Sequence, residues 1–164
     1  MSQIYATDRK RGSPVSEGIL SAIGNTPLVR LERIFPEINF SLYAKLEALN
    51  PGGSMKDRPA VRIIKDGLKT GAIHQGTTIV ESSSGNMGIG LAQACSYHDL
   101  RFICVVDSKT SPQNIRLMEL YGAEIELVTE PDAVTAELLQ ARLNRVDELL
   151  SSIPESGRRP YQKK

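Results

Sequence analysis

Apolar positions along this chain recur with a period of two, then of three to four, and the change of period repeats several times. Residues 26–31 (TPLVRL) form a short β-favouring run introduced by Gly24 and Asn25. Phe40, Leu42, Ala44 and Leu46 alternate and predict a second strand. Asn50-Pro51-Gly52-Gly53-Ser54 is a turn cluster. Beyond it Ala60, Ile63, Ile64, Gly67 and Leu68 recur at helical spacing, and Gly71 closes the helix. Residues 77–80 (TTIV) predict a strand and residues 81–86 a loop. Residues 87–97 are apolar nearly all round, the mark of a buried helix. Residues 101–106 (RFICVV) are a continuous apolar strand of the kind covered on both faces. Pro112 opens a helix that runs to Tyr121 and ends at Gly122. Residues 123–128 predict another strand. Residues 132–150 predict a long helix with Val134, Leu138, Ala141, Val146, Leu149 and Leu150 facing inward.

Strands alternating with helices define an α/β class, a parallel sheet flanked by helices. In such sheets ligands bind at the carboxyl ends of the strands, where chains leave strands and enter helices. The organisation expected is a flexible N-terminus over 1–18, an α/β domain over 19–153 and an atypical tail over 154–164. The 164 residues suffice for one domain with a single core. Apolar residues make up 40% and charged residues 24%, and 20 basic against 19 acidic side chains leave a net charge of +1. That balance gives no electrostatic case for nucleic acid or for an anionic membrane. The two cysteines, Cys95 and Cys104, lack metal-ligand spacing and sit in apolar segments, so buried reduced thiols are expected. No apolar leader precedes the domain and no segment approaches a membrane span, so a cytoplasmic protein is expected.

Two loops carry candidate chemistry. The first, residues 50–58 (NPGGSMKDR), puts Lys56 at the start of a helix, where unpaired N–H groups and the helix dipole are positive. Those surroundings disfavour an ammonium, burial would disfavour it further, and a neutral amine can condense with an aldehyde. The glycines allow the backbone close to a flat ligand. Spacing alone is better served by a plain turn with a solvated lysine, since surface lysines are common. The second loop, residues 81–88 (ESSSGNMG), places three hydroxyls and several backbone donors just before a helix, a recipe for holding a carboxylate or phosphate. Asn86 offers a side-chain amide to a ligand oxygen. A serine-rich helix cap with no ligand accounts for the same residues.

Together the loops resemble the fold-type II pyridoxal-phosphate enzymes, the family of cysteine synthase and cystathionine β-synthase. Relatives have a segment like residues 24–29 (GNTPLV), a cofactor-lysine segment like residues 50–58, and a substrate-carboxylate loop like Ser83-Ser84-Gly85-Asn86. The resemblance runs from about Gly18 to about Ile153. It implies the small N-terminal domain of a two-domain enzyme, with pyridoxal 5'-phosphate carried by Lys56. Asn86 would hydrogen-bond the cofactor's phenolic oxygen, while Ser83, Ser84, Gly85 and Met87 would present donors to the substrate carboxylate. Residues 50–60, 81–89 and 104–114 further resemble one branch of the family, which makes a diaminopropionate precursor of siderophores. That branch joins O-phospho-L-serine to L-glutamate, giving N-(2-amino-2-carboxyethyl)-L-glutamate and phosphate. Met87 stands where cysteine synthases have threonine, which favours this branch.

The same resemblance implies a chain roughly twice as long, a homodimer, and a second half that supplies the cup for the cofactor phosphate. Residues 19–35 would pair with that half, and the strand around 26–31 would here lack partners. The tail does not resemble the family's continuation, as a truncated or frame-shifted gene would explain, so little activity is expected of these residues alone. Cysteine synthase using sulfide, and a non-catalytic remnant, are the competing readings. His74 and His98 read as surface residues, and Arg62, Lys65 and Lys69 as a solvated helix face. Asp57 and Arg58 either pair with each other or steady the loop.

Overall fold

The computed structural model describes residues 18–33, 39–153 and 156–157. Expectations for residues 1–17, for 34–35 and for most of the 154–164 tail lie outside the described residues. After a short 3-10 turn, Ile19–Ala22, come β1 (Leu28–Arg30) and β2 (Tyr43–Lys45). They pair antiparallel, with Leu28 opposite Lys45 and Arg30 opposite Tyr43. Thus β1 has a partner within the described residues, contrary to the expectation that it would have none. The ribbon keeps Leu28 63% and Tyr43 53% exposed on one face.

A regular alternation follows: α1 (Asp57–Thr70), β3 (Thr78–Ser82), α2 (Asn86–Tyr97), β4 (Arg101–Asp107), α3 (Pro112–Leu120), β5 (Glu124–Val128), α4 (Leu138–Ser152) and β6 (Ser156–Gly157). The last four strands form one parallel sheet in the order β5-β4-β3-β6. Gly71, at φ 74, ends α1 in the left-handed conformation that glycine tolerates without strain. Pro112 opens α3 as its fixed φ and missing N–H allow.

The apolar run of β4 lies at the sheet centre, and every residue from Phe102 to Asp107 is buried. On one face α1, α2 and α3 enclose the main core, which includes Ile64, Ile79, Leu91, Phe102 and Met118. On the other, Val146 of α4 packs on Val80, Ile103 and Val105. Burying each such large apolar side chain contributes about 1.5–3 kcal/mol. Residues 88–95 of α2 are all buried, because the helix is covered by the sheet, α1 and α3 together. Gly90 permits this: a Cβ there would lie 3.0 Å from Ala60 Cβ and 3.2 Å from the Lys56 carbonyl.

The long helix expected from Asp132 begins only at Leu138. Asp132 Oδ1 accepts the N–H groups of Val134, at 3.1 Å, and Thr135, at 2.7 Å, so the side chain captures donors that a helix would need otherwise. Ala136 then takes φ 56, and Val134 is 92% exposed rather than inside.

Candidate active site

Lys56 is the residue immediately before α1, at its N-cap. Its backbone N–H donates to Ser54 Oγ at 3.1 Å, and its carbonyl accepts the Ala60 N–H at 3.1 Å. The turn before it is held from beneath. Asp57, wholly buried, accepts the Gly52 N–H at 2.5 Å through Oδ2, and its Oδ1 has no hydrogen-bond partner among the described residues. Burial pushes the Asp57 carboxyl above the usual range, against the Gly52 N–H that draws it down. Arg58 reaches away to Glu47, so Asp57 and Arg58 do not pair with each other; each steadies the loop separately. Lys56 is exposed.

The second loop joins the carboxyl end of β3 to α2. Ser83 is spent on shaping it: its N–H goes to the Val105 carbonyl at 3.2 Å, and its Oγ accepts the Gly88 N–H at 2.8 Å. Its carbonyl accepts the Cys104 thiol at 3.2 Å, and Asn114 Nδ2 of α3 donates to the Ser84 carbonyl at 3.0 Å. The N–H groups of Ser84, Gly85 and Asn86 have no acceptor among the described residues, and neither has the buried Ser82 Oγ. Unpaired donors at a helix N-terminus are a geometry able to hold an anion. Asn86 is exposed at the first position of α2, and Met87 packs against the main core.

The two loops meet. Lys56, residues 82–87 and Arg142 line one cavity of about 420 Å³. All six residues singled out from the sequence, Lys56, Ser83, Ser84, Gly85, Asn86 and Met87, are on its wall. Arg142 of α4 was not anticipated. It is 9% exposed, and its Nε lies 3.1 Å from Asp107 Oδ2 at an angle that leaves Nε and one Nη without a hydrogen bond. A charged residue four places from both Leu138 and Val146, on the inward stripe of a helix, was the signal available in the sequence. Arg142 also borders a second cavity, of about 590 Å³, between the start of α4 and the ends of β4 and β5.

Elsewhere, burial raises the thiols of Cys95 and Cys104 to about 12, consistent with free buried cysteines. His74 is exposed, whereas His98 is half-buried, with its pKa lowered by burial and by Lys65. Among the described residues no cluster of three His, Cys, Asp or Glu side chains could hold a metal ion, and no helix is long and apolar enough to cross a membrane.

The site suits an aldehyde cofactor that bears anionic groups. It offers a primary amine on one wall and unpaired N–H donors on another. A methyl group placed on Gly85 would meet nothing within 4 Å, so the loop leaves room for a ligand. The sequence matches the family model of pyridoxal-phosphate dependent enzymes over residues 19–156, and the chain belongs to that family. Its fold is that of a portion of a fold-type II enzyme, and its cofactor is pyridoxal phosphate. Among solved structures it is similar to a hydrogen sulfide-producing enzyme from Fusobacterium nucleatum, at 36% identity and a TM-score of 0.81, over 93% of this chain and 47% of that one. An O-acetylserine dependent cystathionine beta-synthase from Helicobacter pylori is 38% identical, with a TM-score of 0.77, over 87% of this chain and 45% of that one. An O-ureido-L-serine synthase is 38% identical, with a TM-score of 0.75, over 84% of this chain and 42% of that one. The chain therefore spans less than half the length of each of these neighbours.

Proposed function

We propose that these residues supply the cofactor lysine and the carboxylate-binding loop of a β-replacement enzyme acting on an activated L-serine. The donor is O-phospho-L-serine, the acceptor L-glutamate, and the products N-(2-amino-2-carboxyethyl)-L-glutamate and phosphate. The observation that carries this reading is the shared cavity of Lys56 and the 82–87 loop, an amine facing a row of unpaired N–H donors. Turnover belongs to the whole enzyme.

Bound there, the cofactor supplies an aldehyde and an electron-accepting pyridine ring. Lys56 would hold it through Nζ, and the same Nζ, when free, would take the α-proton of the serine substrate. The N–H groups of Ser84, Gly85 and Asn86 hold the substrate carboxylate, and Asn86 offers its side-chain amide to the cofactor. Nζ would keep that proton while phosphate leaves Cβ and the acceptor amine bonds there, and would then return it to the substrate Cα. Arg142 favours an acidic acceptor, because a buried guanidinium with donors to spare attracts a carboxylate. Met87, in the place of a threonine hydroxyl, supports glutamate over sulfide.

Phosphate release from O-phospho-L-serine by the whole enzyme is the test. We expect release that depends on L-glutamate. Release with sulfide and none with glutamate would overturn the acceptor and favour cysteine synthesis.

A further inference from the structure

Glu47 does not line the cavity, yet it touches both ends of the loop that carries Lys56. Its Oε2 accepts Asn50 Nδ2 at 3.0 Å and Arg58 Nε at 2.8 Å; its Oε1 accepts a second Arg58 nitrogen at 2.8 Å and the Thr26 hydroxyl at 2.6 Å. Asn50 precedes the turn and Arg58 follows the lysine, so one carboxylate fastens the loop before and after Lys56. Asn50, itself 3% exposed, donates again to the Glu47 carbonyl at 2.8 Å and accepts the Gly24 N–H at 2.9 Å. Thr26 Oγ1 also accepts Lys45 Nζ at 2.7 Å and Arg58 at 3.1 Å, and Lys45 Nζ donates to the Thr26 carbonyl. Segments from three parts of the chain thus converge on the Glu47–Thr26 pair: the Gly24–Asn25–Thr26 approach to β1, the end of β2 through Lys45, and the turn into α1.

We propose that Glu47 is a positioning residue for Lys56. By holding Asn50 and Arg58 at fixed places it keeps the short segment between them, and so Nζ, turned toward the 82–87 loop. This rests on the reading that Lys56 captures the cofactor aldehyde. A planar guanidinium forked on a carboxylate fixes direction as well as distance, which a single bond does not. Three donors besides Arg58 Nε share the two oxygens, so a substitution that removes one acceptor frees one end of the loop.

The experiment traps pyridoxal phosphate on the chain by borohydride reduction and measures pyridoxyl groups at each lysine by mass spectrometry. In the wild type we expect Lys56 to be labelled in preference to exposed Lys65 and Lys69. Glu47→Gln keeps the size but gives up the charge and one acceptor. It should lower labelling at Lys56 roughly tenfold, the factor set by losing one charge-assisted bond, and leave Lys65 and Lys69 unchanged. Thr26→Val, a milder change that removes one donor to Glu47, should lower Lys56 labelling by a smaller factor and serves if Glu47→Gln fails to fold. Glu124→Gln breaks a forked pair of similar geometry with Arg101, remote from the loop, and should change nothing at Lys56. Equal Lys56 labelling in the wild type and in the folded Glu47 or Thr26 variants overturns the positioning role and leaves the cofactor reading intact. Labelling spread evenly over the lysines of the wild type overturns the cofactor reading, and this inference with it.

Discussion

Asp107 and Arg142 face each other with side chains 10% and 11% exposed, so removing one strands the other away from water. Asp107→Ala should cost about 3–5 kcal/mol, measured by urea unfolding. A loss below about 1 kcal/mol would show that the guanidinium finds another partner. The Asp107 carboxylate has a second duty, accepting the Lys109 N–H at 2.9 Å through Oδ1, which fixes the turn after β4. Residues of this kind explain the limits of reading the site from the chain. Lys56 and the Ser83-Ser84-Gly85-Asn86 run were legible because their chemistry is local: a lysine after a glycine turn, hydroxyls before a helix. Arg142 and Glu47 were not, because each takes its meaning from partners far away in sequence, Asp107 for one and Thr26 and Arg58 for the other.

At the scale of elements, close contact between α2 and its neighbours sets the shape of the 82–87 loop. A Cβ on Gly88 would lie 2.6 Å from Met118 Sδ and 3.2 Å from both Cys104 Sγ and the Ser83 carbonyl. Gly88→Ala should therefore cost about 1–3 kcal/mol by overpacking, and the strain falls on Ser83, the residue that shapes the loop. Denaturant midpoints check the cost; a variant as stable as wild type would show that Met118 moves aside freely. Most elements were legible from period alone. The all-apolar α2 and the continuous run of β4 are both covered on two sides, as their patterns require. The start of α4 was missed, since hydrophobic spacing is blind to a side chain such as Asp132 that binds the backbone donors two and three residues on. The pairing of β1 with β2 was missed as well, since strand partners depend on contacts the local pattern does not encode.

For the whole molecule, the Glu47 cluster makes stability depend on acid. Hydrogen bonds from Arg58, then Thr26, hold the Glu47 carboxyl at about 2, against an ordinary value of 4.5. Between those values the unfolded chain binds a proton at Glu47 that the folded chain does not. The contribution is present in full above 4.5 and is lost as pH falls toward 2. Glu47→Gln should flatten the acid limb of the stability curve, measured as urea midpoints across that window; an unchanged limb would refute the assignment. The α/β class was legible as a whole because strand and helix periods alternate, and alternation leaves few ways to wind a sheet. The enclosure of α2 has a further consequence. Wrapped by sheet and helices, it holds its open end rigid, so an anion arriving there would find the donors already in place and have no receptor to put in order first.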